Sequence, residues 1–283
     1  MPEWRDIAFD KTGLSFDDCL YTDILFAMAN FPALLNELKA LDAPAVPPMS
    51  DLLNFDFSLS DDPSSTYPPL DLSGNFDPSL DFMNSFPTDT SQQHSDARIA
   101  LLTKLHQLKD DLRALGIHLN AKLADGSAAM EFPAVEPDSP IPTAFRFTSW
   151  RVTVAYNCYW ALLILVNKIL MRLLPPYDPT YYALEAECRT VALEICKTWE
   201  DAWASKPIGA FHTGLSFVMA YEFCTEEVKE WILRGLNALL DAQNVESFRW
   251  SDEVVKMMSG KLAVSGPLFL PCGGGAPSNQ TVL

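Results

Sequence analysis

The side chains able to do chemistry are few and thinly spread. Six cysteines stand at positions 19, 158, 188, 196, 224 and 272, and no two form a CxxC pair, so neither a zinc ribbon nor a thioredoxin-type centre is available. They read as free, largely buried thiols, which suits a reducing compartment better than a secreted one. His106 and His118 share a leucine-rich segment but are separated by about three turns of helix, too far to share a metal ion. His212 opens an apolar stretch and would be the base for a Cys158 or Cys224 nucleophile only if the fold joined them; a structural histidine is the other reading. Glu185, Glu187 and Glu194 read as solvated charges on or near a helix face. No GxSxG, Walker, HExxH or GxGxxG pattern occurs, and Gly273 to Gly275 has no following helix to cradle a phosphate. The sequence therefore assigns no catalytic residue, no cofactor and no metal, and the protein is not read as an enzyme.

Non-covalent chemistry has a clearer carrier. Residues 43–96 hold eight prolines, many Ser and Asp, and no Lys or Arg. Such a stretch buries too little apolar area to offset the entropy of ordering it, so it reads as a disordered acidic insert. Within it Leu52, Leu53, Phe55, Phe57 and Leu59, then Leu80, Phe82, Met83 and Phe86, interleave with Asp. That alternation typifies activation segments: charge keeps the apolar groups solvated until they dock in a partner's groove. These nine residues are the candidate partner-binding set. An ordinary acidic linker is the competing reading.

Charge follows the same division. Residues 1–97 carry 17 acidic and 3 basic side chains, whereas 98–283 carry 20 and 17. A sequence pI near 4.5 argues against direct nucleic-acid binding, which rests largely on Lys and Arg at phosphates. The N-terminus lacks the basic start and apolar core of a signal peptide.

The elements that would carry these residues are helical. Phe145 to Pro176 reads as a long, mostly buried central helix whose polar stripe, Asn157, Lys168 and Arg172, is narrow. Its uncharged run is short for a membrane span and interrupted by asparagines, which favours a core helix over a span. Residues 1–42 suggest two short helices, 17–30 and 32–41, with a corner before Pro32. Leu101, Leu105, Leu108, Leu112, Leu115 and Leu119 make a seam on a helix over 98–123, for its own bundle or for a homo- or heterodimer. Residues 131–142 read as a proline-rich loop, 181–204 as one helix, and Phe211 to Cys224, Thr225 to Gln243 and a short helix after Ser251 complete the bundle. No strand alternation is evident. The fold class is all-α, an irregular bundle around the central helix, with units 1–42, 43–96 and 97–260 and a flexible tail over 261–283.

Several packing motifs resemble the regulatory region of fungal Zn2Cys6 (binuclear zinc cluster) transcription factors: Phe145-Arg146-Phe147 leading to Tyr159-Trp160, LEAECRTVALEIC at 184–196, Pro207-Ile208-Gly209 before Ala220-Tyr221-Glu222, and Glu230-Trp231-Ile232 with Leu236. Weaker likeness extends to 20–41 and 98–123. The resemblance implies an all-α nuclear regulator of transcription that contacts transcription machinery or other regulators. The six closely spaced cysteines and basic stretch of that family's DNA-reading module are missing from these 283 residues, so zinc and direct DNA binding do not carry over. The alternative expectation is an α-helical small-molecule-binding protein or enzyme that uses the bundle interior.

Overall fold

The computed structural model describes residues 9–42, 88–175, 177–204 and 208–265. In chain order they form α1 (Phe16–Asp42), α2 (Thr88–Ala124), β1 (Ala129–Pro133), β2 (Thr143–Phe147), α3 (Trp150–Leu173), α4 (Pro179–Lys197), α5 (Trp199–Ala204), α6 (Ile208–Tyr221), α7 (Glu226–Ala242) and α8 (Asp252–Ser265). The fold is mostly all-α, an irregular bundle built around α3. That helix packs against α1, α2, α4, α5, α6, α8 and β2, which is why so much of its perimeter is apolar. It is long and apolar enough to cross a membrane, as is Asp18–Asp42 within α1; 78% of the most apolar window of α3 and 33% of that of α1 are buried in this structure. The three residues of the α3 polar stripe each meet a neighbour: Asn157 bonds Thr198, Lys168 pairs with Glu222 at 2.5 Å, and Arg172 pairs with Asp42 at 2.6 Å.

The leucine seam of α2 turns inward. Leu101, Leu105, Leu108, Leu112 and Leu119 are buried within the chain's own core, while the opposite face presents Ile99, Thr103, His106, Asp110, Arg113 and Ile117. Helix α2 starts at Thr88, so residues 88–96, read as part of the insert, are helical. The nine candidate partner-binding residues, Leu52 to Leu59 and Leu80 to Phe86, lie outside the described residues.

Further expectations need correction. Proline at position 32 does not make a corner: α1 runs through it as one helix, because Ile24, Phe31, Leu35 and Leu38 stay buried on one face. The exposed Met28, whose carbonyl the proline cannot satisfy, stands at the solvent side. Residues 129–147 form an antiparallel hairpin, with Glu131 opposite Phe145 and Ala129 opposite Phe147. Phe145 and Phe147 thus belong to β2, and the central helix begins at Trp150, where the Ser149 hydroxyl accepts from the Val152 amide at 3.4 Å. The predicted 181–204 helix breaks at Thr198. This fully buried residue donates its hydroxyl to the Ile195 carbonyl at 2.8 Å and accepts from Asn157 Nδ2 at 3.1 Å, and α5 restarts after it. Finally, residues 261–265 do not belong to a tail; α8 continues to Ser265 because Leu262 and Ala263 extend its buried face.

Candidate functional site

Helix α5, WEDAWA, has six residues and is dense in groups that reach other elements. Trp199 and Trp203 sit four apart and so lie on one face, their rings nearly parallel with centroids 5.2 Å apart. Trp231 of α7 meets the Trp199 ring edge-on at 5.4 Å, and Phe217 of α6 does so at 5.1 Å. A Cβ at Gly235 would stand 2.2 Å from the Trp199 ring, so only a glycine lets the α7 backbone close on that indole. The acidic pair of α5 points to the hairpin. Glu200 Oε1 accepts from the Val135 and Glu136 amides at 2.7 and 2.9 Å, while Asp201 accepts from the Thr153 hydroxyl at 2.7 Å and the Phe147 amide at 3.3 Å.

Between the hairpin loop, α5 and α7 a cleft of about 530 Å³ opens. Trp199 and Trp231 are buried and Trp203 is half-buried, while Glu136, Asp138, Glu200 and Arg234 supply the charged lining. Trp231 Nε1 donates to Glu136 Oε2 at 3.3 Å, which fixes the loop over the indole edge. The volume falls in the range of small-molecule sites, and tryptophans rimmed by carboxylates and one arginine suit non-covalent capture of an apolar or aromatic molecule bearing polar groups. A second cleft of about 500 Å³ lies at the base of the hairpin, between the start of α1, the end of α2 and residues 148–152.

The groups singled out in the sequence are dispersed. Cys158 is pushed up to about 11 and Cys188 to about 12, each chiefly by burial, and the Tyr159 hydroxyl to about 12 by burial and then by Glu187, so none is poised as a nucleophile at neutral pH. The His212 side chain lies outside the described residues. His106 and His118 are exposed on α2, and His94 Nε2 sits 3.0 Å from the Leu41 carbonyl. Among the described residues no three His, Cys, Asp or Glu side chains gather as a metal site would require. Glu187 is not a solvated charge: its Oε2 accepts from Lys109 Nζ at 2.5 Å and from Asn167 Nδ2 at 3.1 Å, and the Lys109 side chain is only 4% exposed. Glu194 pairs with Lys197 and Glu185 with Arg189.

Sequence reasoning missed Glu136, Glu200, Trp203 and Gly235 as one site. The Trp199–Trp203 spacing was the available signal, but the facing wall comes from residues 135–138 and 231–238, distant in the chain on either side. No protein-family model, curated protein or solved structure matches this chain.

Proposed function

We propose that this protein regulates transcription through contacts with other proteins, without a DNA-reading module in these residues. The observation that carries it is the composition of residues 43–96, where Leu, Phe and Met alternate with Asp in the absence of any Lys or Arg. The helical remainder is the support for that segment. Its resemblance to the regulatory region of fungal zinc-cluster factors rests on packing motifs, and the aromatic residues of the first of them are buried: Phe145 lies nearly parallel to Trp160 with centroids 6.2 Å apart, and Phe147 meets Tyr156 at 5.3 Å. A regulator of this kind works in the nucleus, and its acidity leaves the contact with DNA to a partner.

The test joins residues 43–96 to an unrelated DNA-binding domain and reads a reporter gene. Activation is expected, with most of it lost when Leu53, Phe55 and Phe57 are changed to alanine. No activation, or activation indifferent to the triple change, overturns the assignment. The tryptophan-lined cleft favours a second reading, binding of a small molecule by the bundle.

A further inference from the structure

Two cysteines separated by 28 positions meet where α4 ends. Cys196 lies in the last turn of α4, 1% exposed, and half-buried Cys224 lies in the turn between α6 and α7; their sulfurs are 3.9 Å apart. The protonated Cys224 thiol donates to the Ala220 carbonyl at 3.3 Å, which leaves its sulfur lone pairs to accept from Cys196. Lys229, one turn into α7 and paired with Glu226 at 2.6 Å, adds a smaller positive influence on the same sulfur.

We propose that Cys224 and Cys196 form a peroxide-reactive dithiol that closes to an intramolecular disulfide, with Cys224 attacking and Cys196 resolving. The hydrogen bond from Cys196 holds the Cys224 thiol below the ordinary range, and Lys229 adds to this against the opposing effect of burial; Cys196 is pushed up by the same bond and by burial. The thiol of the less buried residue is therefore the more acidic one, as the first step requires.

In that step the Cys224 thiolate attacks one oxygen of a hydroperoxide. An S–O bond forms, the O–O bond breaks, and the departing alkoxide or hydroxide takes up a proton to leave as alcohol or water. Cys196 then attacks the Cys224 sulfur while its thiol proton passes to the departing hydroxyl oxygen beside it, so that S–S forms, S–O breaks and water leaves. Two thiols lose two electrons, and the hydroperoxide gains them. Closure requires the sulfurs to approach from 3.9 Å to about 2 Å. Cys196 stands in the last turn of α4 and Cys224 in the turn after α6, where a rotamer change with a small backbone shift supplies the distance. Cys196 lies two positions before the buried break at Thr198, so the bond would fix the α4–α5 junction that carries Trp199.

The experiment treats the reduced full-length chain with hydrogen peroxide, alkylates the remaining thiols and maps linkages by mass spectrometry without reduction. The expected product is a single chain, lighter by two hydrogens, in which Cys196 and Cys224 are linked, and a dithiol reductant reverses it. In C196S the oxidised Cys224 stays open to a sulfenic-acid probe and is labelled at least about tenfold faster than Cys158, since the thiolate fraction outweighs the lower basicity. Should the oxidised wild-type chain hold Cys224 unlinked, joined to another cysteine, or carried to the sulfinic acid, the proposal is overturned. The wild-type linkage map decides this even where a variant fails to fold.

Discussion

Gly235 stands in the middle of α7, where replacing glycine by alanine ordinarily stabilises a helix by about 1 kcal/mol. Here the added methyl would meet a ring held by Trp203, Phe217 and Trp231, so it cannot be relieved by one flexible side chain. Forcing a methyl into packed interior costs about 1–3 kcal/mol, which exceeds the propensity gain. Gly235→Ala is therefore expected to lower the midpoint of urea unfolding; a midpoint that rises would show that α7 does not close on Trp199. Gly116 has the same logic in α2, since a Cβ there would stand 2.1 Å from the Tyr159 hydroxyl. From sequence it reads only as a weak point in the helix. Propensity is a local property, whereas the reason for the glycine lies on α3.

At the scale of elements, the hairpin shows what short-range pattern misses. Its strands have five residues each, and β1 buries only Ala129, so no alternation marks it. Pairing is instead extended at both ends, by Thr148 N to Ala128 O at 3.0 Å and by Ala134 N to Pro142 O at 2.9 Å. Across the strands the Thr143 hydroxyl donates to Glu131 Oε1 at 2.5 Å, and Lys197 of α4 pairs with the same oxygen at 3.1 Å. The Thr143 bond, then Lys197, holds the Glu131 carboxyl below its ordinary value of 4.5. A depressed carboxylate contributes stability that is fully present above its unfolded value and is lost as pH falls through the folded one. Unfolding midpoints followed from neutral pH to below pH 4.5 should thus fall less steeply in Glu131→Gln than in the wild type. Equal slopes would remove Glu131 from the account of the hairpin. The break at Thr198 was hidden for a related reason: apolar spacing continues through Trp199 and Trp203, while at the end of α4 the Thr198 amide turns to the Ile195 carbonyl at 3.0 Å and its hydroxyl meets Asn157 on α3.

At the scale of the molecule, the clefts exist because the hairpin and α5 are laid over one side of a bundle whose axis is α3. A molecule in the tryptophan-lined cleft would touch the hairpin loop, α5 and α7 together, so its binding would stabilise the whole fold. A ligand at 100 times its dissociation constant adds about 2.7 kcal/mol. In a thermal-shift screen of metabolites, a bound compound should raise the midpoint by several degrees, with Asp138→Asn and Arg234→Ala reducing that shift. A shift that both variants leave unchanged would put the compound elsewhere.

The sequence by itself determined the helical class, the central apolar helix and the seam of α2, because apolar spacing along a helix reports which face is buried whatever it is buried against. It also settled that the acidity belongs to the N-terminal third, since charge is a sum over residue types. Tertiary structure alone decided the hairpin, the unbroken α1 and the break at Thr198. It alone decided the Glu187–Lys109 pair, the cleft under the hairpin loop and the meeting of Cys196 with Cys224. Each of these depends on two groups distant in the chain, and the free energy that holds them is set by contacts no local pattern records.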